Sequence, residues 1–209
     1  FYLWPSLEES YPSVVGDALG VIADYWPFCG LNVPQDRKTQ FICQRYEMGW
    51  NPWSPPPVRK LKFAELELLY APSQRIDQLT IRLKHIAAGR DRYDTAEWDD
   101  SGWTTVFEGA HVPLNTGTCF QLHNGVTANL IRFDFTREFT YDPRYNLAVD
   151  ITMREAGFGV VGPLCVMAFT AETRTIIGEE YLTLAPDSPL HWSGSRGNAT
   201  LSNFIPQMW

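Results

Sequence analysis

An acidic segment, residues 91–102, contains the first group of side chains in this 209-residue chain that could do chemistry. It carries five carboxylates, and oxygen ligands of this kind are what a hard cation such as calcium prefers. Their spacing does not match an EF-hand, so a solvated acidic loop is the alternative interpretation. The candidate calcium ligands are Asp91, Asp94, Glu97, Asp99 and Asp100.

The aromatic residues suggest a second kind of chemistry. The chain contains eight Trp and nine Tyr, and flat rings at loops or strand ends can stack on the faces of sugars. The alternative is that the same rings close the ends of a buried core. The candidate sugar-stacking residues are Trp50, Trp53, Trp98 and Trp103.

The histidines and serines do not form a recognisable catalytic motif. The four histidines, His85, His111, His123 and His191, are scattered. They lack the i, i+4 spacing of a zinc protease, so we predict that they are surface or hydrogen-bonded side chains. Ser193 lies in no GxSxG motif, and no acid–base pair can be named. The sequence therefore predicts a protein that is not an enzyme.

The four cysteines are too widely spaced for a CxxC metal or redox site. The disulfide candidates are Cys29, Cys43, Cys119 and Cys165. We favour Cys29 with Cys43, which would pin the N-terminal segment onto the domain, and Cys119 with Cys165, which would join two strands. Four buried, reduced thiols are the alternative.

Charge and hydropathy limit the partners and the compartment. The net charge is −7 and no run of five Lys or Arg occurs, so we expect no nucleic-acid partner. Every apolar run is interrupted before the roughly 18 residues of a membrane span. We interpret the apolar start of the chain as the N-terminus left by removal of a signal peptide, which predicts a secreted or cell-surface protein. Asn198 begins a sequon, a candidate glycosylation site in that compartment.

The elements that must position these residues are short strands. From about Thr39, apolar and polar residues alternate between turn signals, as Leu79, Ile81 and Leu83 do against their polar neighbours. Residues 61–68 fit a strand or a helix. Eight or more such runs predict an all-β domain over residues 39–209, an antiparallel two-sheet β-sandwich of jelly-roll-like type.

The first 38 residues are predicted to form an N-terminal arm that is either helical or extended. Ser6 and Glu9 have the spacing of a capping box, and apolar residues recur at helical intervals as far as Ile22. The arm begins with an apolar tip that must be buried in this subunit or in a neighbour. The tip consists of Phe1, Tyr2, Leu3 and Trp4.

Residues 139–150 carry the most specific motif, F-x-Y-D-P-x-x-N-L-x-V-D. Asp142 and Pro143 predict a turn, and Phe139 and Tyr141 are predicted to anchor its corner. With the strand runs that precede it, the motif resembles a β-sandwich module of secreted and cell-surface bacterial proteins. The resemblance implies an architectural role within larger adhesive or secreted proteins, without a catalytic residue set.

We therefore expect a non-catalytic extracellular structural or adhesive subunit that self-associates or docks onto a larger surface assembly. An apolar arm can add to the unpaired edge of a neighbouring sheet, and head-to-tail repetition of that contact would build a filament. A carbohydrate-binding module that uses loop aromatics is the alternative. No cofactor is expected apart from the candidate calcium ion.

Overall fold

A computed structural model describes residues 21–24, 35–49, 51–54, 57–70, 75–113, 118–121, 127–154, 164–181 and 199–206. Every regular element within these ranges is a β-strand, and every strand pairing is antiparallel. In these ranges we find no helix that could cross a membrane. The prediction of an all-β, antiparallel fold is confirmed.

The strands form two sheets of six. The first contains β1 (Val21–Asp24), β3 (Arg59–Tyr70), β6 (Thr118–Gln121), β7 (Thr127–Tyr141), β9 (Leu164–Phe169) and β12 (Phe204–Pro206). Their order is β1-β9-β3-β7-β6, and β12 also pairs with β9. The second contains β2 (Gln35–Cys43), β4 (Arg75–Ile86), β5 (Thr104–Pro113), β8 (Asn146–Arg154), β10 (Thr175–Tyr181) and β11 (Thr200–Ser202). Their order is β11-β10-β2-β8-β4-β5.

Both sheets contribute to one hydrophobic core. Successive side chains of a strand point to opposite faces, so the odd-numbered residues of β2, β4 and β8 lie on one face of the second sheet. These core-facing residues include Phe41, Ile81 and Val149. They belong to the same buried cluster as Leu66 and Phe133 of the first sheet. Burial of each such side chain contributes about 1.5–3 kcal/mol.

The even-numbered residues of the same strands lie on the opposite face of the second sheet. The connection between β4 and β5, residues 87–103, covers this face, and we call it the β4–β5 loop. Its Tyr93 packs in a second, smaller cluster with Ile42, Ala148 and Ile176 from the sheet. Tyr93 also donates its backbone N–H to the carbonyl of Thr173 at 2.8 Å. This face therefore carries buried side chains as well.

The described structure bears on the predicted N-terminal arm at two places. Ile22, the last apolar residue of the helical alternative, lies in strand β1, whose Val21 pairs with Ala168 of β9, so this part of the arm is extended. Strand β2 begins at Gln35, so the predicted boundary between residues 38 and 39 falls inside a strand. The rest of the predicted arm, residues 1–20 and 25–34, lies outside the described residues.

The turn predicted at Asp142 and Pro143 is confirmed. Strand β7 ends at Tyr141, β8 begins at Asn146, and the N–H of Tyr145 donates to the carbonyl of Asp142 at 3.1 Å. The Tyr141 hydroxyl donates to the carbonyl of Tyr145 at 2.9 Å, which ties the fully buried Tyr141 ring to the turn.

The favoured disulfide between Cys119 and Cys165 is wrong for this strand order. Cys119 pairs with Asn129, Asn129 with Leu68, and Leu68 with Cys165. Three inter-strand steps of about 4.8 Å put the two Cα atoms about 14 Å apart, whereas a disulfide spans about 4.4–6.8 Å.

The other favoured disulfide receives no support. Cys43 is a free, fully buried thiol on the core face of β2, and Cys29 lies outside the described residues. Burial of Cys43 strongly raises the pKa of its thiol.

Candidate functional site

Three polar side chains line up across the outer face of the second sheet. In the strand register, Gln40 of β2 pairs with Asp150 of β8, and Asp150 pairs with Arg82 of β4. Each is an even-numbered residue in a strand whose odd-numbered residues enter the core, so all three point to the same outer face. Lys38 lies two residues before Gln40 and joins these three, and we call the four residues the Asp150 cluster.

Asp150 has no exposed surface, and its carboxylate is surrounded by donors. Arg82 binds it with two hydrogen bonds, from Nε to Oδ1 and from an Nη to Oδ2, each 3.0 Å long. Gln40 donates to Oδ2 at 2.8 Å, and the Lys38 ammonium is 3.7 Å from Oδ2. Thr152 donates to Oδ1 at 3.2 Å. This bidentate, charge-assisted geometry is among the stronger hydrogen-bonding arrangements in proteins.

The Asp150 cluster also holds the β4–β5 loop. The Gln40 side chain pairs with the backbone of Asp99 in both directions, accepting from its N–H at 3.0 Å and donating to its carbonyl at 2.9 Å. Lys38 contacts the Asp100 carboxylate at 3.1 Å, and Lys84 contacts that of Asp99. The loop is therefore attached to the second sheet through ion pairs and hydrogen bonds.

Two tryptophans of the loop lie against cations of this face. The Lys38 ammonium is 4.9 Å from the centre of the Trp98 ring, and the Lys84 ammonium is 4.8 Å from that of Trp103. The Trp103 indole N–H donates to the Asp99 carbonyl at 2.5 Å. Cation–π contacts of this kind cover faces that a sugar would need. The prediction that Trp98 and Trp103 stack on sugars is therefore not supported.

The candidate calcium ligands do not converge. Burial alone would raise the pKa of Asp99, but the hydrogen bond and charge of Lys84 and the charge of Arg90 outweigh it and hold that pKa below its usual value. Asp94 binds Arg92, and Asp91 and Glu97 are exposed. Within the described ranges no three His, Cys, Asp or Glu side chains are grouped to hold a metal ion. Asp94, Asp99 and Asp100 bind arginine and lysine side chains instead, so the described structure gives the calcium prediction no support.

A second group of polar side chains lies at one end of the two sheets. The connection between β2 and β3, residues 44–58, and the β7–β8 turn, residues 142–145, meet there, because the Arg45 N–H donates to Asn146 Oδ1 at 2.8 Å. The Arg45 guanidinium donates to the Arg144 carbonyl at 3.3 Å. Asn146 also donates to the carbonyls of Ala88 and Arg90 and so joins the β4–β5 loop to this end.

This end displays most of the large apolar side chains that the described part of the molecule exposes, and we call it the aromatic end. Its members, with their exposed fractions, are Trp53 (93%), Tyr46 (62%), Val58 (56%) and Tyr145 (43%). The Trp53 backbone N–H donates to Asn51 Oδ1 at 2.9 Å, and the Ser54 N–H donates to the Asn51 carbonyl at 3.2 Å. Trp53 is thus presented on a tight turn with its ring exposed to solvent.

The carboxylates at the aromatic end are bound by arginines. Glu47 accepts from Arg174 through both of its oxygens, one contact measuring 2.7 Å, and Arg174 is itself buried. Asp142 binds Arg144, whose hydrogen bonds are the main reason that the pKa of Asp142 falls to about 2. Arg45 and Arg59 add positive charge nearby, since Arg59 pairs with Tyr141 at the start of β3.

His85 supports the aromatic end from inside. Its Nε2 accepts a hydrogen bond from the Asp142 backbone N–H at 2.9 Å, and its ring stacks on Tyr141 with 5.8 Å between centres. Burial lowers the pKa of His85, partly offset by the Asp142 charge. The prediction of a hydrogen-bonded histidine is confirmed for His85.

Several predicted site residues lie outside the described residues. They are the apolar tip Phe1, Tyr2, Leu3 and Trp4, together with Cys29, Trp50, His123, His191 and Asn198. The sequence pattern did not identify Lys38, Gln40, Arg82 and Asp150 as a group. The sequence does show that these residues lie on the polar side of strands in which apolar and polar residues alternate. That alternation does not reveal which strands are neighbours, so it could not group the four residues.

The chain matches no protein-family model, no curated protein and no solved structure. The resemblance of residues 139–150 to a bacterial β-sandwich module therefore remains a prediction. The function must be argued from the geometry of this chain alone.

Proposed function

We propose that this protein is a non-catalytic extracellular structural or adhesive subunit that assembles through its N-terminal arm. The observation that carries the proposal is the docking of β1 on β9. Four residues from the N-terminal part of the chain form the edge of the first sheet, with Val21, Ile22, Ala23 and Asp24 all in antiparallel register. The extracellular setting rests on the sequence alone.

An edge strand of this kind can be exchanged between subunits. The strand β1 is short, and the next strand in the chain, β2, belongs to the other sheet. If β1 of one copy pairs with β9 of the next, the same hydrogen bonds form between subunits, and repetition of this contact builds an open chain of subunits. Residues 1–20 would then extend from the junction, where their apolar tip adds buried surface.

We also propose that the two sheets pack face to face as a jelly-roll-like sandwich. The support is the single buried cluster to which both sheets contribute, for example Phe41 from the second sheet and Phe133 from the first. In such a sandwich the inner faces of the two sheets are buried against each other, so its edges and ends remain available for contacts with other molecules.

A pair of cysteines tests the assembly. Val21 and Ala168 are register partners, and the Cα distance of such a pair is compatible with a disulfide. In the variant V21C/A168C, exchange of β1 predicts disulfide-linked dimers and longer species on a non-reducing gel, which collapse to one band with reductant. The single variants V21C and A168C are the matched controls for the native cysteines. Monomers whose only new disulfide is internal would contradict the proposed exchange.

A carbohydrate-binding module remains the second candidate, because Trp53 is almost completely exposed. Its ring is held on a turn at the aromatic end with Tyr46 and Tyr145. If the protein binds glycans, W53A abolishes retention on a glycan array, and W53F retains it. An array on which the parent protein binds no glycan would remove this candidate.

A further inference from the structure

We propose that His85 is a pH-sensitive switch that holds the β7–β8 turn in place at neutral pH and releases it when the imidazole is protonated. The change is local, because it rearranges the turn at the aromatic end while the core of the two sheets stays folded. The inference goes beyond the proposed function, since it depends neither on assembly through β1 nor on glycan binding.

The strand register places His85 at the end of the hydrophobic core. It follows Leu83 on the core-facing side of β4, and β4 ends at Ile86. The His85 ring lies 5.0 Å from the Phe139 ring and 5.8 Å from the Tyr141 ring, measured between centres. A titratable side chain thus follows the buried, apolar residues of this strand face, at the point where the turn closes the end of the sheets.

The hydrogen bond between His85 and the turn requires a neutral imidazole. The Asp142 backbone N–H donates to Nε2 of His85 at 2.9 Å. A neutral imidazole accepts at one ring nitrogen and donates at the other, whereas both nitrogens of an imidazolium are donors. Protonation of Nε2 therefore brings two N–H donors face to face. The Asp142 amide must then move away and find another acceptor, such as water.

Asp142 is the first residue of the turn, and the next residues are bonded to it. Its carbonyl accepts from the Tyr145 N–H at 3.1 Å, and its Oδ1 accepts from the Arg144 N–H at 3.0 Å. The Tyr145 ring also lies against His85, with 5.4 Å between the ring centres. The Arg144 carbonyl accepts from the Arg45 guanidinium at 3.3 Å. Movement of the Asp142 amide therefore displaces Arg144 and Tyr145, two exposed residues of the aromatic end.

The surroundings of His85 set the pH range of the switch. Burial disfavours the imidazolium and lowers the pKa of His85, and the negative charge of Asp142 offsets this effect only in part. Apart from the tyrosines, the titratable and charged groups of the elements that meet at this end are Cys43, Arg45, Glu47, Arg59, Asp142 and Arg144. Release is therefore expected below about pH 6.5, the ordinary pKa of histidine.

An NMR titration of the full chain between about pH 7.5 and 4.5 tests the switch. The His85 ring signals report its protonation, and the Asp142 amide reports the hydrogen bond. We expect the Asp142 and Tyr145 amide signals to shift with the same midpoint as the His85 ring. Protection of the Asp142 amide from hydrogen exchange should fall at least about tenfold. The Asp142 carboxylate does not titrate in this range, because Arg144 holds its pKa at about 2.

Two substitutions of His85 are the matched controls. His85→Gln keeps an acceptor that does not titrate, so the Asp142 amide should stay protected across the whole range. His85→Phe keeps an aromatic ring without an acceptor, so the Asp142 amide should be unprotected already at neutral pH. The Ile81 amide, in the middle of β4, should stay protected in all three proteins.

Three outcomes would overturn the inference. The first is an Asp142 amide that stays protected while the His85 ring becomes protonated. The second is a His85 ring that stays neutral throughout the titration. The third is simultaneous loss of protection at Asp142 and Ile81, because acid would then unfold the whole protein rather than release one turn.

Discussion

Replacement of Asp150 by Ala should destabilise the fold more than any change at an exposed carboxylate. The Asp150 carboxylate is completely buried and takes two hydrogen bonds from Arg82, with Lys38 only 3.7 Å away. Its removal leaves the Arg82 and Lys38 cations largely shielded from solvent and without the anion that both contact. Removal of one partner from a buried ion pair costs about 3–5 kcal/mol.

The expected loss is large enough to measure by urea or thermal denaturation. For a chain of this size, 3–5 kcal/mol corresponds to a fall in Tm of roughly 6–20 °C. Asp134 is the matched control, because its side chain is 74% exposed and binds the partly exposed Arg132. Asp134→Ala should change the free energy of unfolding by no more than about 1 kcal/mol.

A second measurement tests the contribution of the Asp150 cluster to the loop. Gln40 and Lys38 hold the β4–β5 loop through Asp99 and Asp100, so D150A should accelerate hydrogen exchange in residues 95–103 more than in the core strand β8. If D150A does not fold, Lys38→Met keeps most of the side-chain volume and should cost about 1.5–3 kcal/mol. A D150A variant that loses less than about 1 kcal/mol, with unchanged exchange in the loop, would refute the reasoning.

Two further predictions concern titratable groups. His85 has a lowered pKa in the folded state, mainly through burial, so the unfolded chain takes up the proton first. Stability should therefore fall as the pH drops below about 6.5, and H85Q, which keeps an acceptor without titrating there, should show a smaller fall in denaturation series between about pH 7.5 and 5. Cys43 is fully buried with a strongly raised pKa, and alkylation needs a thiolate. Peptide mass spectrometry should show its labelling by iodoacetamide at least about 1,000-fold slower in the folded protein than in urea, and similar rates in both would contradict the structure.

Much of the local structure could be predicted because it depends on neighbours in the chain. Alternation placed Leu79, Ile81 and Leu83 on one face of a strand, and all three are buried in the core. The Asp142-Pro143 turn was also predictable, because proline fixes its own φ angle and aspartate bonds to the backbone two residues on. Arg144 does donate its N–H to Asp142 Oδ1 at 3.0 Å.

The predictions that the structure does not support share a physical cause. A bond between Cys119 and Cys165 fails because the sequence does not reveal strand order, and two strands stand between these cysteines in the sheet. The sequence shows only the negative charge of the acidic loop, because the lysines that bind Asp99 and Asp100 lie up to 62 positions away in the sequence. Nearer the N-terminus, where the sequence allows a helix or an extended arm, pairing of β1 with β9 places Ile22 in a strand.

The sequence by itself determined the all-β character of the described residues, the core face of strands such as β4, and the place of the β7–β8 turn. These properties follow from side-chain periodicity and from local backbone preferences. Only the tertiary structure decided that Gln40, Asp150 and Arg82 form one row, that the acidic loop closes over it, and that Trp53 stays exposed. Those properties depend on register and strand order, which long-range contacts select and which no local pattern encodes.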